Sequence, residues 1–76
     1  MTRREQITAE LARLGQVAQG LYLRQGAHMN LYSAALISRD VEEVELRRDE
    51  LHTLLDALLD NGEAINRLAR ELESLP

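Results

Sequence analysis

A chain of 76 residues buries only roughly 60% of its unfolded surface when it folds alone, and without cysteine it has neither disulfides nor a thiolate zinc site to supplement the core. Tyr22 and Tyr32 are the only aromatic residues, so leucine must supply most of the apolar area. At 45% hydrophobic residues and a net charge of −4, the composition is that of a folded protein, and association with a further chain is the remaining way to bury enough surface. No apolar run approaches the roughly 20 residues needed to span a bilayer, and Met1–Glu5 leads into polar, amphipathic sequence without the apolar stretch of a signal peptide. The expectation is one helical domain over residues 1–76, cytosolic and independent of membranes.

The first helix is expected over about residues 4–37. Ile7, Leu11, Leu14, Ala18 and Leu21 repeat at alternating spacings of four and three, which is a heptad seam. Continued in that register, the seam runs into the polar Gln25 and His28 before Tyr32 and Ala35. At the 3.6-residue period of a free helix it drifts instead to Met29, Tyr32 and Leu36. Residues 25–29 are therefore where the regular stripe fails. Gly15, Gly20 and Gly26 each cost about 0.8–1.0 kcal/mol relative to alanine inside a helix. They signal either close approach of another helix or a break near residues 20–26. No proline and no cluster of turn residues accompanies them, which favours a continuous helix.

Ser38-Arg39-Asp40 divides the chain into two nearly equal halves. Asp40 followed by Glu43 has capping-box spacing, and Glu42 and Glu43 put negative charge at the positive end of a helix dipole. A second helix is expected over about residues 41–74. Val44, Leu51, Leu55, Leu58, Ile65, Ala69 and Leu72 share one register, widened by Leu54, Leu68 and Leu75. Glu43–Arg47 and Glu63–Arg67 are i, i+4 pairs in the favourable order. Asp60-Asn61-Gly62-Glu63 contains a turn dipeptide and a second possible capping box, a further place for a break near 60–63. Yet Leu58 and Ile65 stand one whole heptad apart, and a loop has no reason to preserve that phase.

Folding back at residues 38–40 aligns the two stripes: Ile7 with Leu72, Leu11 with Leu68, Leu14 with Ile65 and Leu21 with Leu58. Ala18 then meets the Asn61-Gly62 region, His28 falls near Leu51, and Gln25 near Leu54. The fold expected is all-α, an antiparallel helical hairpin, with a three-helix arrangement as the alternative if either break forms. Leu23, Leu31, Leu46 and Leu59 lie off both seams, and a homodimeric four-helix bundle is the simple way to cover such residues. In outline this is similar to small plasmid-copy-number regulators and to the helical hairpins of flagellar chaperones, without a shared motif, and it assigns no family.

Motifs for chemistry are scarce. There is no glycine-rich phosphate loop, nucleophile elbow or H-E-x-x-H sequence, so neither an enzyme nor a cofactor is expected. Asp49, His52 and Asp56 have a carboxylate-and-histidine spacing seen in di-metal bundles. His52, however, lies about 100° round the helix from Leu51 and so faces outward, and no metal is expected there. Nucleic-acid binding by Arg3, Arg4, Arg13, Arg24 and Arg39 is the secondary reading, opposed by the net negative charge and by an acidic second half of about −7 against about +3 in the first.

A small interaction protein acting on a protein partner is the reading that remains, as a regulator, inhibitor, adaptor or chaperone. Its expected partner-binding residues are Tyr22, His28, Met29 and Tyr32, because tyrosine and methionine are enriched in interfaces and lie where the regular stripe fails. A second candidate surface is the acidic face carrying Glu42, Glu45, Asp49 and Asp56, continued by Asp60 and Glu63.

Overall fold

Two long helices account for nearly the whole chain in the computed structural model, which describes residues 1–76: α1 (Arg3–Ser38) and α2 (Val41–Ser74). Both match the expected bounds to within a residue. Neither break occurs, since α1 runs through Gly20 and Gly26, and α2 through Asp60–Glu63. The three-helix alternative is not adopted.

The helix ends explain themselves locally. Thr2 caps α1, its hydroxyl oxygen accepting from the Glu5 amide at 3.1 Å and donating to the Glu5 carboxylate at 3.2 Å. That Thr-x-x-Glu spacing is a capping signal that the hydrophobic pattern alone does not reveal. At the other end Arg39 takes a left-handed conformation, φ 60 and ψ 30. Its amide donates to the Leu36 carbonyl (3.2 Å) and that of Asp40 to the Ala35 carbonyl (3.3 Å), the two bonds of a Schellman turn. Asp40 then accepts from the Glu43 amide at 3.1 Å and starts α2. Only half of the expected capping box forms, because the Glu43 carboxylate turns instead to Arg47 at 2.6 Å.

The helices are antiparallel and in contact along their length. Arg3 bonds Glu71 and Arg4 reaches the Pro76 carbonyl at the open end, while His28 meets Glu50 near the loop. These contacts fit the register in which Leu14 faces Ile65 and Leu21 faces Leu58. Leu14, Ile7, Ala35 and Leu51 are the buried apolar residues. The seam of α1 keeps the strict heptad throughout, passing through Leu21, Gln25, His28, Tyr32 and Ala35. Met29 and Leu36, the drifted alternative, point away. Two helices packed over about nine turns must hold a 3.5-residue repeat, since a 3.6 repeat rotates off the seam by about 20° per heptad. On α2 the seam passes through Leu51, Leu54, Leu58, Asn61, Ile65, Leu68 and Leu72. Leu55 does not join it and stands exposed, a correction to the register read from the sequence.

The result is a thin rod, 57 × 15 × 14 Å, in which only five residues are buried. Its radius of gyration of 17.2 Å compares with about 11 Å for a compact domain of this length. The accessible surface is 5740 Å², against about 4,700 Å² for a typical folded monomer of 8.6 kDa.

Candidate interaction surface

The two flanks of the seam differ in chemistry. On one flank every ion pair of the protein is found. Arg3 bonds Glu71 in a bidentate arrangement (2.6 and 2.7 Å), Arg13 bonds Glu10, and Arg47 bridges Glu43 and Glu50. His28 Nδ1 lies 2.9 Å from a Glu50 carboxylate oxygen, a close contact without the alignment of a hydrogen bond. Hydrogen bonding to Arg3 holds the Glu71 carboxyl below the usual glutamate range, and Arg13 does the same to Glu10. The Arg47 guanidinium is raised in turn by its bonds to Glu50 and Glu43. Of the expected i, i+4 pairs only Glu43–Arg47 forms, and Glu63 and Arg67 stand unpaired.

The opposite flank has no ion pair and carries Tyr22, Met29 and Leu36 from α1, spaced one heptad apart, with Val41 and Leu55 from α2. Their exposures are 61%, 46%, 49%, 69% and 42%, high for large apolar residues. A shallow hollow at the loop end of this flank is lined by Leu36, Arg39, Val41, Val44, Glu45 and Arg48, from both helices and the loop between them. A second lies beside Gln19, Tyr22 and Leu23.

The seam between these flanks changes character along the rod. In the half nearest the termini it is filled by Ile7, Leu11, Leu14, Leu58, Ile65 and Leu68. In the half nearest the loop the buried Ala35 and Leu51 and the half-buried Val44 and Leu54 share it with Gln25, His28, Tyr32 and Arg47, all half-buried. The loop half thus mixes polar side chains into the seam and carries further apolar ones on the flank.

The four expected partner-binding residues are divided by this geometry. Tyr22 and Met29 lie on the exposed apolar flank, whereas His28 and Tyr32 sit in the seam against α2. Leu36, Val41 and Leu55 belong with the first pair, and sequence reasoning missed them because it placed them in the core or at a helix end. The signal was available, since Tyr22, Met29 and Leu36 recur at spacings of seven. The second candidate surface is a real face: Glu42, Glu45, Asp49, Asp56, Asp60 and Glu63 are all exposed on the side of α2 away from α1. His52 is exposed beside them, and no group of three or more histidine, aspartate or glutamate side chains comes together anywhere in the hairpin. No helix is long and apolar enough to cross a membrane. Against known proteins, no family model, curated protein or solved structure matches this chain.

Proposed function

We propose that this protein is a non-enzymatic interaction module of the regulator, inhibitor, adaptor or chaperone kind, which works by taking another protein chain against its apolar flank. The observation that carries this reading is the concentration of exposed apolar side chains on the flank without ion pairs: Tyr22, Met29, Leu36, Val41 and Leu55 are open to water there, against Val17 and Leu31 on the ion-paired flank. Five large apolar side chains clustered on one side of so thin a rod form the kind of exposed patch that marks a protein interface. Tyr22 and Met29 suit such a site, because one can bury its ring while keeping its hydroxyl wet and the other adapts to an uneven surface. The proposal includes a cytosolic setting, which a cysteine-free chain suits.

The test is a photo-crosslinking amino acid placed at Met29 and, in a second variant, at Asp56 on the acidic face, each in the full chain in its host. Protein adducts are expected from position 29 and not from position 56. Tyr22→Ala should weaken the captured complex by roughly thirtyfold, the effect of truncating a central aromatic anchor worth about 2 kcal/mol. Adducts from position 56 alone would transfer the proposal to the acidic face, and none from either would end it.

A further inference from the structure

Resting on that reading, we infer that the chain occupying the apolar flank is a second copy of this protein, laid across it in the reversed direction so that the loop half of each hairpin covers the terminal half of the other. The flank has two unlike halves. Near the loop it carries the large side chains Tyr22, Met29, Leu36, Val41, Arg48 and Leu55. Near the termini the same heptad positions are Thr8 and Gly15 on α1, and Gly62 and Ala69 on α2. Gly15 and Gly62 stand at the same level of the rod and together make a recess.

Those glycines have no role inside the hairpin. A Cβ added at either would meet nothing within 4 Å, so the packing of α1 on α2 does not require them. Each nevertheless lowers helix stability relative to alanine. Close approach of a helix from outside accounts for them, and the flank itself supplies the shape that fits. A two-fold axis through the level of Tyr22 brings Met29 over Gly15 of the second copy and Leu36 over Thr8 of the second copy. On α2 the same operation sets Val41 over Ala69 and Arg48 over Gly62 of the second copy, while Tyr22 and Leu55 lie at the axis and each meets its own symmetry mate. Away from the axis, large then meets small. A dimer with both loops at one end would pack large on large and leave the recess empty.

The areas agree. The chain exposes about 1,000 Å² more than a compact monomer of its mass, and a stable interface takes about 800 Å² from each partner. The flank runs the full length of the rod and bears no ion pair that would have to be broken. The charged flank of each hairpin is left facing water as the polar rim.

The experiment uses the full chain and four variants. Sedimentation equilibrium of the wild type is expected to give twice 8.6 kDa at micromolar concentration. On mild oxidation Tyr22→Cys should link to itself across the axis. Thr8→Cys and Leu36→Cys chains should link to each other when mixed and not when alone, since each lies far from its own symmetry mate. Gly15→Leu/Gly62→Leu should keep its helicity, because the hairpin has room for both side chains, and lose roughly tenfold or more in dimer affinity by overfilling the recess. A wild type that stays monomeric at about 100 μM, where a dimer of micromolar Kd would be almost fully formed, overturns the inference. So does a dimer in which the Thr8 and Leu36 cysteines fail to pair while leucine at the glycines changes nothing. A monomer whose position 29 still captures a different protein would overturn the second copy and leave the interaction reading standing. A monomer that captures nothing would end both.

Discussion

Asn61 is the one polar side chain buried in the seam, and its amide nitrogen donates to the Leu14 carbonyl of α1 at 3.2 Å. It faces Ala18, whose small side chain leaves the backbone within reach. Asn61→Asp keeps the shape and removes the donor, setting a carboxylate against a carbonyl oxygen in a buried layer. The lost bond is worth about 1 kcal/mol and the unpaired charge adds to it, for a total of about 2–4 kcal/mol at neutral pH. For a domain of this size that corresponds to a fall of roughly 10–30 °C in Tm. The sign with pH follows from burial, which raises the new carboxyl above its unfolded value. The variant therefore loses stability as pH rises through the unfolded and then the folded pKa, and regains it in acid, where the protonated group can donate to Leu14. Asn61→Ala is the control. It loses the bond, gains about 0.6 kcal/mol of helix propensity, and leaves Leu14 its place in the backbone ladder of α1, so it should stay within about 1 kcal/mol of wild type. Thermal melts followed by circular dichroism at pH 7 and at about pH 3 separate the cases. Equal melting of the Asp and Ala variants at pH 7 would refute the placement of the Asn61 amide against Leu14.

Four further outcomes are expected. Arg39→Gly should raise stability by about 1 kcal/mol, because the left-handed backbone there is cheaper for glycine, and a lowered Tm would contradict the Schellman turn. Gly20→Ala, on the exposed outer side of α1 with open space for its methyl, should add about 0.8–1.0 kcal/mol, read from denaturant melts. Glu71 is held below the usual carboxylate range by Arg3, so its contribution is full above that range and lost as pH falls through the lowered value. Glu71→Gln should flatten the loss of stability between roughly pH 5 and pH 2 by a small amount, both partners being exposed. Amide exchange at high dilution should be faster in residues 22–36 and 41–55 than in 7–21 and 58–72, and should slow in the loop half as concentration rises.

Most of the fold was legible because long helices write their contacts as a period. Ile7 through Leu21 and Leu58 through Leu72 fix the terminal half, where stripe and seam coincide, and the turn at Ser38–Asp40 follows from equal helix lengths. The loop half was ambiguous for a physical reason. There Gln25 and His28 compete with Met29 and Leu36 for the inward position, and the pattern on one helix cannot decide between them. The decision comes from α2 and from the terminal layers, whose rigid heptad carries the polar residues inward. Leu55 was misplaced for the same reason: one residue from Leu54, it looks equally apolar, and only the seam's phase separates them. The Asn61 bond and the left-handed Arg39 depend on backbone positions that hydrophobic spacing does not encode.

The candidate surface inherits this division. A helix designed only to pair with one neighbour would place its leucines at the seam along its whole length, as the terminal half does. The loop half keeps Gln25, His28 and Arg47 between its helices and turns Tyr22, Met29, Leu36, Val41 and Leu55 outward. Polar seam residues are tolerable in a thin hairpin because water reaches both flanks and Arg47 is paired with Glu43 and Glu50, although His28 Nδ1 is buried beside the Glu50 carboxylate without a hydrogen bond. They become informative when the adjoining flank is apolar, since burying the flank also encloses the seam. The loop half is therefore an incomplete layer, with hydrophobic surface on the side where a further helix pair would lie. Glycines in the terminal half, unneeded by the hairpin, supply the matching space on the same flank. On the proposed dimer, the local departures from the most stable choice in both halves would share one explanation, each half of the rod fitting the other half of its copy.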